Sequence, residues 1–201
     1  MRILIGLFVL LCIACQPKDV TTTGKYIKNI NENVVLFEDG SKLELDNCKT
    51  CKTVYLVRHA EKDTVPAKNP ILTEEGYNRS HRLAQIFKST RLDAVYSTLY
   101  NRTMHTVDSL TTMKGLSTQI YQPKELKSLS EKLLSENNFN KVLISGHSNT
   151  TPAFASTLMG EKLFEKGFDE SDYDNLLIVN LDSKKEKKLY KLKYKTTQSD
   201  K

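Results

Sequence analysis

Several features that would assign this chain to a special class are missing from it. Its longest apolar run, residues 3–14, has about 12 residues, whereas a membrane-spanning helix needs about 20. No internal repeat is visible, which excludes a repeat architecture. The formal charge is +6, but no basic stripe with interleaved aromatic residues is visible. We therefore expect the lysines to form a solvated surface and expect no nucleic acid partner.

The chain has four cysteines, and their spacing gives little support to a metal site. Cys48 and Cys51 are spaced C-x-x-C, but a second such pair or a histidine pair, as in a zinc site, is missing. A thioredoxin-like redox motif stands at the start of a helix, whereas this pair precedes a run typical of a strand. A disulfide is the favoured interpretation in an oxidising compartment, and redox catalysis is the weaker alternative.

The N-terminal segment has the pattern of an export signal. Arg2 is followed by the apolar residues 3–14 and then by Cys15, with Ala14 directly before the cysteine. This order is similar to a bacterial lipobox. We predict that residues 1–15 are a signal peptide with a lipobox-like cysteine and that lipid on Cys15 anchors the protein to the cell envelope, on its periplasmic or surface side. A plain secretory signal cut nearby and a retained N-terminal anchor are the alternatives.

The rest of the chain has an ordinary globular composition, with 39% hydrophobic and 27% charged residues. Asp39 and Gly40 separate two apolar runs, which is a hairpin signal. We predict that residues 16–51 form a polar tether over 16–24 and then a small β-hairpin appendage. The main domain is predicted to span residues 52–195.

The main domain alternates between strand patterns and helix patterns. Strands are predicted over residues 53–57, 94–97, 142–145 and 176–179, with another around Tyr190, Leu192 and Tyr194; helices are predicted after Thr73, near Asn101, after Pro123 and from Thr151. This alternation predicts an α/β fold whose sheet is mostly parallel and covered on both faces. The lysine-rich loop before Tyr190 indicates an antiparallel edge.

Polar side chains follow three of the predicted strands. Arg58 and His59 end the first strand, Arg102 lies just beyond the second, and His147 follows the third. The carboxyl ends of parallel strands meet at one edge of a sheet, where ligands bind. A neutral imidazole can attack phosphorus, and guanidinium groups match phosphate oxygens. The sequence therefore predicts a phosphate pocket in which His59 is the nucleophile and Arg58, Arg102 and His147 bind the phosphate. His147 is also predicted to be catalytic, since its protonated form would stabilise the charge of the transition state.

These residues lie in three motifs: Leu-Val-Arg58-His59-Ala-Glu, Ser97-x-x-x-x-Arg102-Thr-x-x-Thr106 and Gly-His147-Ser. The motifs resemble those of the histidine phosphatase superfamily, which also contains the phosphoglycerate mutases. The resemblance spans about residues 53 to 179. It implies a three-layer α/β/α sandwich, a phosphohistidine intermediate on His59 and catalysis without a metal or other cofactor.

The residue that protonates the leaving group is not fixed by these motifs. Glu125 lies roughly where the mutase-like branch has its acid. Glu61 is the alternative, although we expect it to orient an arginine. The other histidines, His81 and His105, fall inside predicted helices and are expected to have no catalytic role.

The favoured function is a phosphomonoester hydrolase that acts on a phosphorylated small molecule or an envelope component. A phosphomutase, a phosphohistidine-protein phosphatase and a non-catalytic phosphate-binding protein are the alternatives. The main domain lacks the long insertions that cap the site in mutases and phytases, so we expect an open site. The export signal also disfavours both alternative enzymes, since their substrates are cytosolic.

Overall fold

A computed structural model of the protein describes residues 20–182, 184 and 186–196. The predicted signal peptide, residues 1–15, and the lipid site predicted at Cys15 lie outside the described residues. Within those ranges, none of the helices combines the length and the apolar character that spanning a bilayer requires.

The described chain forms nine β-strands, four α-helices and one short 3-10 turn. The strands are β1 (Val20–Asn31), β2 (Val34–Phe37), β3 (Lys42–Glu44), β4 (Lys52–Arg58), β5 (Ala94–Ser97), β6 (Thr118–Ile120), β7 (Lys141–Gly146), β8 (Asn175–Leu181) and β9 (Lys187–Lys193). The helices are α1 (Glu74–Ile86), α2 (Asn101–Lys114), α3 (Leu126–Ser135) and α4 (Thr150–Met159), and the 3-10 turn is Pro123–Glu125. The strands and helices predicted for the main domain are all present. The short strand β6 was not predicted.

All nine strands form a single sheet in the order β3-β2-β1-β9-β8-β4-β7-β5-β6. Strands β4, β7, β5 and β6 are parallel to one another, whereas β8 runs antiparallel to β4 and to β9. The predicted parallel strands with an antiparallel hairpin are therefore confirmed, but this hairpin, β8 and β9, is not at the edge of the sheet, because β1, β2 and β3 continue the sheet beyond β9. The register pairs Arg58 with Gly146 and Ser97 with Ser145, so the three central strands end at the same edge.

The two faces of the sheet bury two separate hydrophobic cores. In β4, Tyr55 and Val57 face one core, and Val54 and Leu56 face the other, as the alternation of a strand requires. Helices α1 and α2 contribute to the first core and α3 and α4 to the second. This arrangement confirms the three-layer sandwich. It also explains why β4 is a continuous apolar run, since both of its faces are buried.

The predicted N-terminal hairpin is present as β2 and β3, and its turn uses Gly40 at φ +82°. Strand β1 extends it into the main sheet by pairing parallel to β9. Here the structure corrects the predicted tether, because β1 begins at Val20. Residues 21–23 are all threonine, which is β-branched and favours strands, but their polarity was interpreted as that of a flexible linker.

Cys48 and Cys51 form a disulfide with a Cα–Cα distance of 4.9 Å, which agrees with the favoured interpretation of this pair. The bridge closes the turn that leads into β4. It therefore lies at the amino end of this strand, and Arg58 and His59 lie at the other end.

Candidate active site

His59 is held rigidly just beyond the end of β4. Its backbone N–H donates to the Gly146 carbonyl at 2.9 Å, and the next N–H, of Ala60, donates to Thr106 Oγ1 at 2.8 Å. The residue His59 is 3% exposed, and its Nδ1 lies 2.8 Å from the Ala60 carbonyl oxygen. A carbonyl only accepts, so Nδ1 must carry the proton. In the neutral ring, Nε2 therefore has a free lone pair, as a nucleophile requires.

Arg58 is the last residue of β4, and its side chain is completely buried. Its Nη1 donates to the carbonyl oxygens of Asp169, Glu170 and Asp172 at 2.8, 3.1 and 3.2 Å, and its Nη2 donates to Glu170 Oε2 at 2.6 Å. Its guanidinium also lies over the Tyr173 ring, 4.3 Å from the ring centroid. The carbonyl oxygens of the loop before β8 therefore hold this guanidinium in place at the end of the strand.

His147 follows β7 and lies next to His59, with 5.7 Å between the ring centroids. Its Nδ1 is 3.3 Å from Arg102 Nη2, and its Nε2 is 3.0 Å from Thr98 Oγ1. Because a guanidinium only donates, Nδ1 accepts. In the neutral ring, Nε2 then carries the proton and donates to Thr98. The two imidazoles thus meet in one cluster, as predicted.

The residue before His147 must be small. A Cβ added to Gly146 would lie 3.0 Å from the Tyr121 hydroxyl and 2.9 Å from Thr150 Oγ1. One of these neighbours holds His147 in place, since the Thr150 hydroxyl accepts from the His147 backbone N–H at 2.9 Å. Gly146 therefore allows α4 to begin close to the end of β7.

Arg102 lies in the first turn of α2, beside the aromatic ring of Tyr100. Its guanidinium carbon is 4.5 Å from that ring centroid, and the same ring lies 5.2 Å from the His147 ring. The Nε atoms of Arg58 and Arg102 are buried and have no hydrogen-bond partner among the described residues. Buried donors normally find partners. Two orphan guanidinium N–H groups beside two imidazoles therefore indicate a site for an anion.

The electrostatics of this cluster keep both imidazoles neutral near pH 7. Burial, reinforced by the positive charges of Arg58 and Arg102, lowers the pKa of His59 to about 3. The same causes, burial first, lower the pKa of His147 to about 4. Burial also lowers the pKa of Arg102. A negatively charged ligand would relieve this excess of positive charge and would favour protonation of His147.

Glu61 orients an arginine, as expected. Its carboxylate accepts from Arg79 Nε at 2.9 Å and from Arg79 Nη2 at 2.7 Å, and Arg79 Nη1 pairs with Asp174 at 2.9 Å. This ion-pair network connects the segment after His59 to α1 and to the start of β8. Glu61 therefore helps to fix the backbone segment that follows His59. No contact described for its carboxylate reaches His59 or His147.

Glu125 lies at the end of the 3-10 turn that follows β6. This turn is near the same sheet edge, since the hydroxyl of Tyr121 donates to the Ser145 carbonyl at 3.3 Å. The Glu125 side chain is exposed, and no contact described for it reaches Arg58, His59 or His147. Its role as the acid stays a prediction.

Four residues of the cluster were not found from the sequence. Tyr100 and Tyr173 each place a ring against one arginine and one histidine. Ser148 donates from Oγ to Glu170 Oε1 at 2.5 Å, which brings a carboxylate to Arg58. Tyr100 and Ser148 adjoin the motifs, so closer reading could have found them. Glu170 and Tyr173 lie more than a hundred residues after Arg58, in a loop without a recognised motif.

Comparisons with known proteins agree with this geometry. Residues 54–131, which include Arg58, His59 and Arg102, match the family described as the histidine phosphatase superfamily (branch 1). The predicted resemblance to this superfamily is confirmed. The match ends before His147, whose place in the cluster rests on the structure. No curated protein is similar enough in sequence to match the chain.

Solved structures of phosphatases share the histidine phosphatase fold. The SixA protein of Agrobacterium tumefaciens, named as a phosphohistidine phosphatase, is 20% identical with a TM-score of 0.51, covering 65% of this chain and 92% of its own. The alpha-ribazole phosphatase of Shigella flexneri is 12% identical with a TM-score of 0.60, covering 74% and 100%. A protein histidine phosphatase SixA complexed with tungstate is 17% identical with a TM-score of 0.52, covering 68% and 93%. At these identities the likeness concerns the fold, and the family match supports a phosphatase.

Among residues 20–182, 184 and 186–196, no group of three or more His, Cys, Asp or Glu side chains is arranged to hold a metal ion. The groups that converge at the site are instead two arginines and two histidines, which suit a phosphate.

Proposed function

We propose that this protein is a phosphomonoester hydrolase that forms a phosphohistidine intermediate on His59. One observation carries the proposal: the Ala60 carbonyl fixes the proton of His59 on Nδ1, so that Nε2 is the free nitrogen in a cluster with Arg58, Arg102 and His147. This tautomer is the one that a nucleophilic imidazole needs.

In the first step, His59 Nε2 attacks the phosphorus, a P–N bond forms and the bond from phosphorus to the substrate oxygen breaks. The leaving oxygen takes a proton and departs as an alcohol, and Glu125 is our candidate donor. In the second step, water attacks the phosphorus, the P–N bond breaks and inorganic phosphate leaves. His59 is thereby returned to its neutral form.

The arginines and His147 supply the electrostatic part of this cycle. Phosphoryl transfer depends mainly on positioning and on neutralising charge at the phosphoryl oxygens. Arg58 and Arg102 are held by the loop before β8 and by α2, so their charges are in place before the substrate binds. Because two guanidinium groups provide this charge, we propose that the reaction needs no metal.

The test is hydrolysis of a generic aryl phosphate by the full chain and by His59→Ala. We expect kcat/KM to fall by at least about a thousandfold, because the nucleophile is lost. His81→Ala is the matched control, since His81 is an exposed residue of α1 whose Nδ1 hydrogen-bonds the hydroxyl of Ser109 on α2. Trapped phosphate on the wild-type protein should be acid-labile and absent from His59→Ala. Equal turnover by the wild type and by His59→Ala would refute the mechanism.

A phosphohistidine-protein phosphatase is the second candidate. It is favoured by the fold shared with two SixA proteins named as histidine phosphatases. The same His59 would then accept phosphate from a phosphorylated histidine on another protein. Comparing kcat/KM for a phosphohistidine peptide with that for an aryl phosphate would separate the two candidates.

We also propose that the protein is exported and anchored by lipid on Cys15, with its substrates in the cell envelope. The support is the signal pattern of residues 1–15 together with the disulfide between Cys48 and Cys51, which suits an oxidising compartment. Mass spectrometry of protein extracted from membranes tests the proposal. We expect an acylated Cys15 at the new N-terminus, and an unmodified Cys15 would contradict the anchor.

A further inference from the structure

Glu170 places a carboxylate on the arginine that ends β4. Its Oε2 accepts from Arg58 Nη2 at 2.6 Å, and its Oε1 accepts from Ser148 Oγ at 2.5 Å. The two partners are unlike in exposure, since the Arg58 side chain is 0% exposed and that of Glu170 is 75% exposed. A solvated carboxylate thus reaches into the site to bind a buried cation.

The loop that carries Glu170 is anchored by other contacts. The N–H of Phe168 donates to the Ser148 carbonyl at 2.8 Å, and Gly167 lies so close that an added Cβ would be 2.9 Å from that oxygen. Backbone carbonyls of the loop accept from Arg58 Nη1. The Glu170 side chain could therefore turn away into solvent while the loop keeps its place.

The position of the Glu170 carboxylate is one that suits an anionic substrate. Arg58 Nη2 is among the few donors that this guanidinium has left after the loop carbonyls are bound. The charge of Glu170 also reaches the other phosphate-binding groups, because it raises the pKa of both His147 and Arg102 against the effect of burial. A phosphate bound to these groups would be repelled by the Glu170 carboxylate, since both are negatively charged.

We propose that the Glu170 carboxylate and a phosphate bind the same groups, Arg58 and Ser148, so that Glu170 competes with phosphate for this site. This inference rests on the proposed function and adds a specificity-determining residue to it. When inorganic phosphate leaves after hydrolysis, the carboxylate returns to Arg58. Glu170 therefore weakens binding of the product and limits inhibition by it.

The test is direct binding of inorganic phosphate, measured by titration calorimetry on the full chain near pH 7. Glu170→Gln keeps the shape of the side chain and removes its charge. We expect it to bind phosphate about tenfold more tightly than the wild type, since a competing anion is lost. In aryl phosphate hydrolysis, the inhibition constant of phosphate should fall by a similar factor.

Glu165→Gln is the matched control, because this exposed glutamate lies in the same loop and pairs with Lys162 at 2.6 Å. We expect its phosphate affinity to equal that of the wild type. Unchanged or weaker binding by Glu170→Gln, or an equal gain in Glu165→Gln, would overturn the inference while the proposed function still stands. If phosphate binds to neither wild type nor Glu170→Gln, the inference fails, whereas the proposed function is tested separately by the turnover of His59→Ala. Binding does not depend on turnover, so an inactive His59 would leave this test intact.

Discussion

At the carboxyl edge of the sheet, Arg58 and Arg102 lie against two neutral histidines, whereas at the opposite edge several charged side chains form ion pairs. There, Glu32 pairs with Lys141 at 2.6 Å and Asp46 with Lys188 at 3.0 Å. These partners are partly exposed, and Glu32, Asp46 and Lys141 line a cleft beside the disulfide. Both edges hold charge, but at the carboxyl edge the unpartnered guanidinium nitrogens of Arg58 and Arg102 lie beside two histidines.

The difference between the two edges shows how a ligand-binding site can be distinguished from an ordinary charged surface. Paired, solvated ions stabilise a fold only slightly. A buried cation such as Arg58, next to histidines whose pKa burial already lowers, costs stability and is more readily explained by a ligand. The edge at which two arginines and two histidines converge is therefore the candidate functional edge. Each prediction below changes one edge and asks whether activity or stability responds.

The largest effect should come from Arg102→Ala. This change removes a preorganised donor for the phosphoryl oxygens, so we expect kcat/KM for an aryl phosphate to fall by about 10²–10³-fold. Arg91→Ala is the control, since Arg91 is 85% exposed and pairs with Asp93 at the opposite edge. Similar losses in both variants would remove the distinction between the edges.

The next effect concerns pH and the stability of the phosphate-free protein. The pKa of His59 is about 3 in the fold and about 6.5 when unfolded, so between these values only the unfolded chain binds the proton. The free energy of unfolding should therefore fall as pH decreases below 6.5, and His59 should contribute about 1 kcal/mol per pH unit. Denaturant titrations from pH 7 to pH 4 would show a smaller slope for His59→Asn. An unchanged slope would mean that His59 is not held neutral by burial.

Removing the disulfide should affect stability and leave the chemistry intact. The double variant Cys48→Ser, Cys51→Ser opens a very short loop, for which chain entropy predicts a loss of about 2 kcal/mol in unfolding free energy. The bridge lies at the far end of β4 from His59, so kcat/KM should stay within about twofold of the wild type. Thermal unfolding and aryl phosphate assays on the same samples would measure both. A large fall in activity would show that the disulfide at the amino end of β4 influences the site at its carboxyl end.

The smallest effect should come from Glu32→Gln. The Glu32 side chain is 51% exposed, and its ion pair with Lys141 is screened by water, so we expect a loss of less than about 1 kcal/mol. Activity should not change. A loss as large as that of the disulfide variant would show that pairing at this edge matters more than its exposure indicates.

Sequence patterns predicted the central part of the fold well because those patterns are local. The continuous apolar run of β4 reports burial on both faces, and strand ends mark where Arg58, His59 and His147 must lie. The N-terminal part was harder. Residues 21–23 are polar but β-branched, and only pairing with β9 shows that they belong to the sheet.

The sequence by itself determined that Arg58, His59, Arg102 and His147 come together, since the order of strands and motifs is enough to bring them to one edge. Only the tertiary structure decided what surrounds them. Arg58 and Glu170 are 112 residues apart, and their contact depends on how α4 and β8 place the loop between them. Such a contact leaves no local periodicity in the sequence, because it results from packing of distant elements and not from the conformational preference of any one segment.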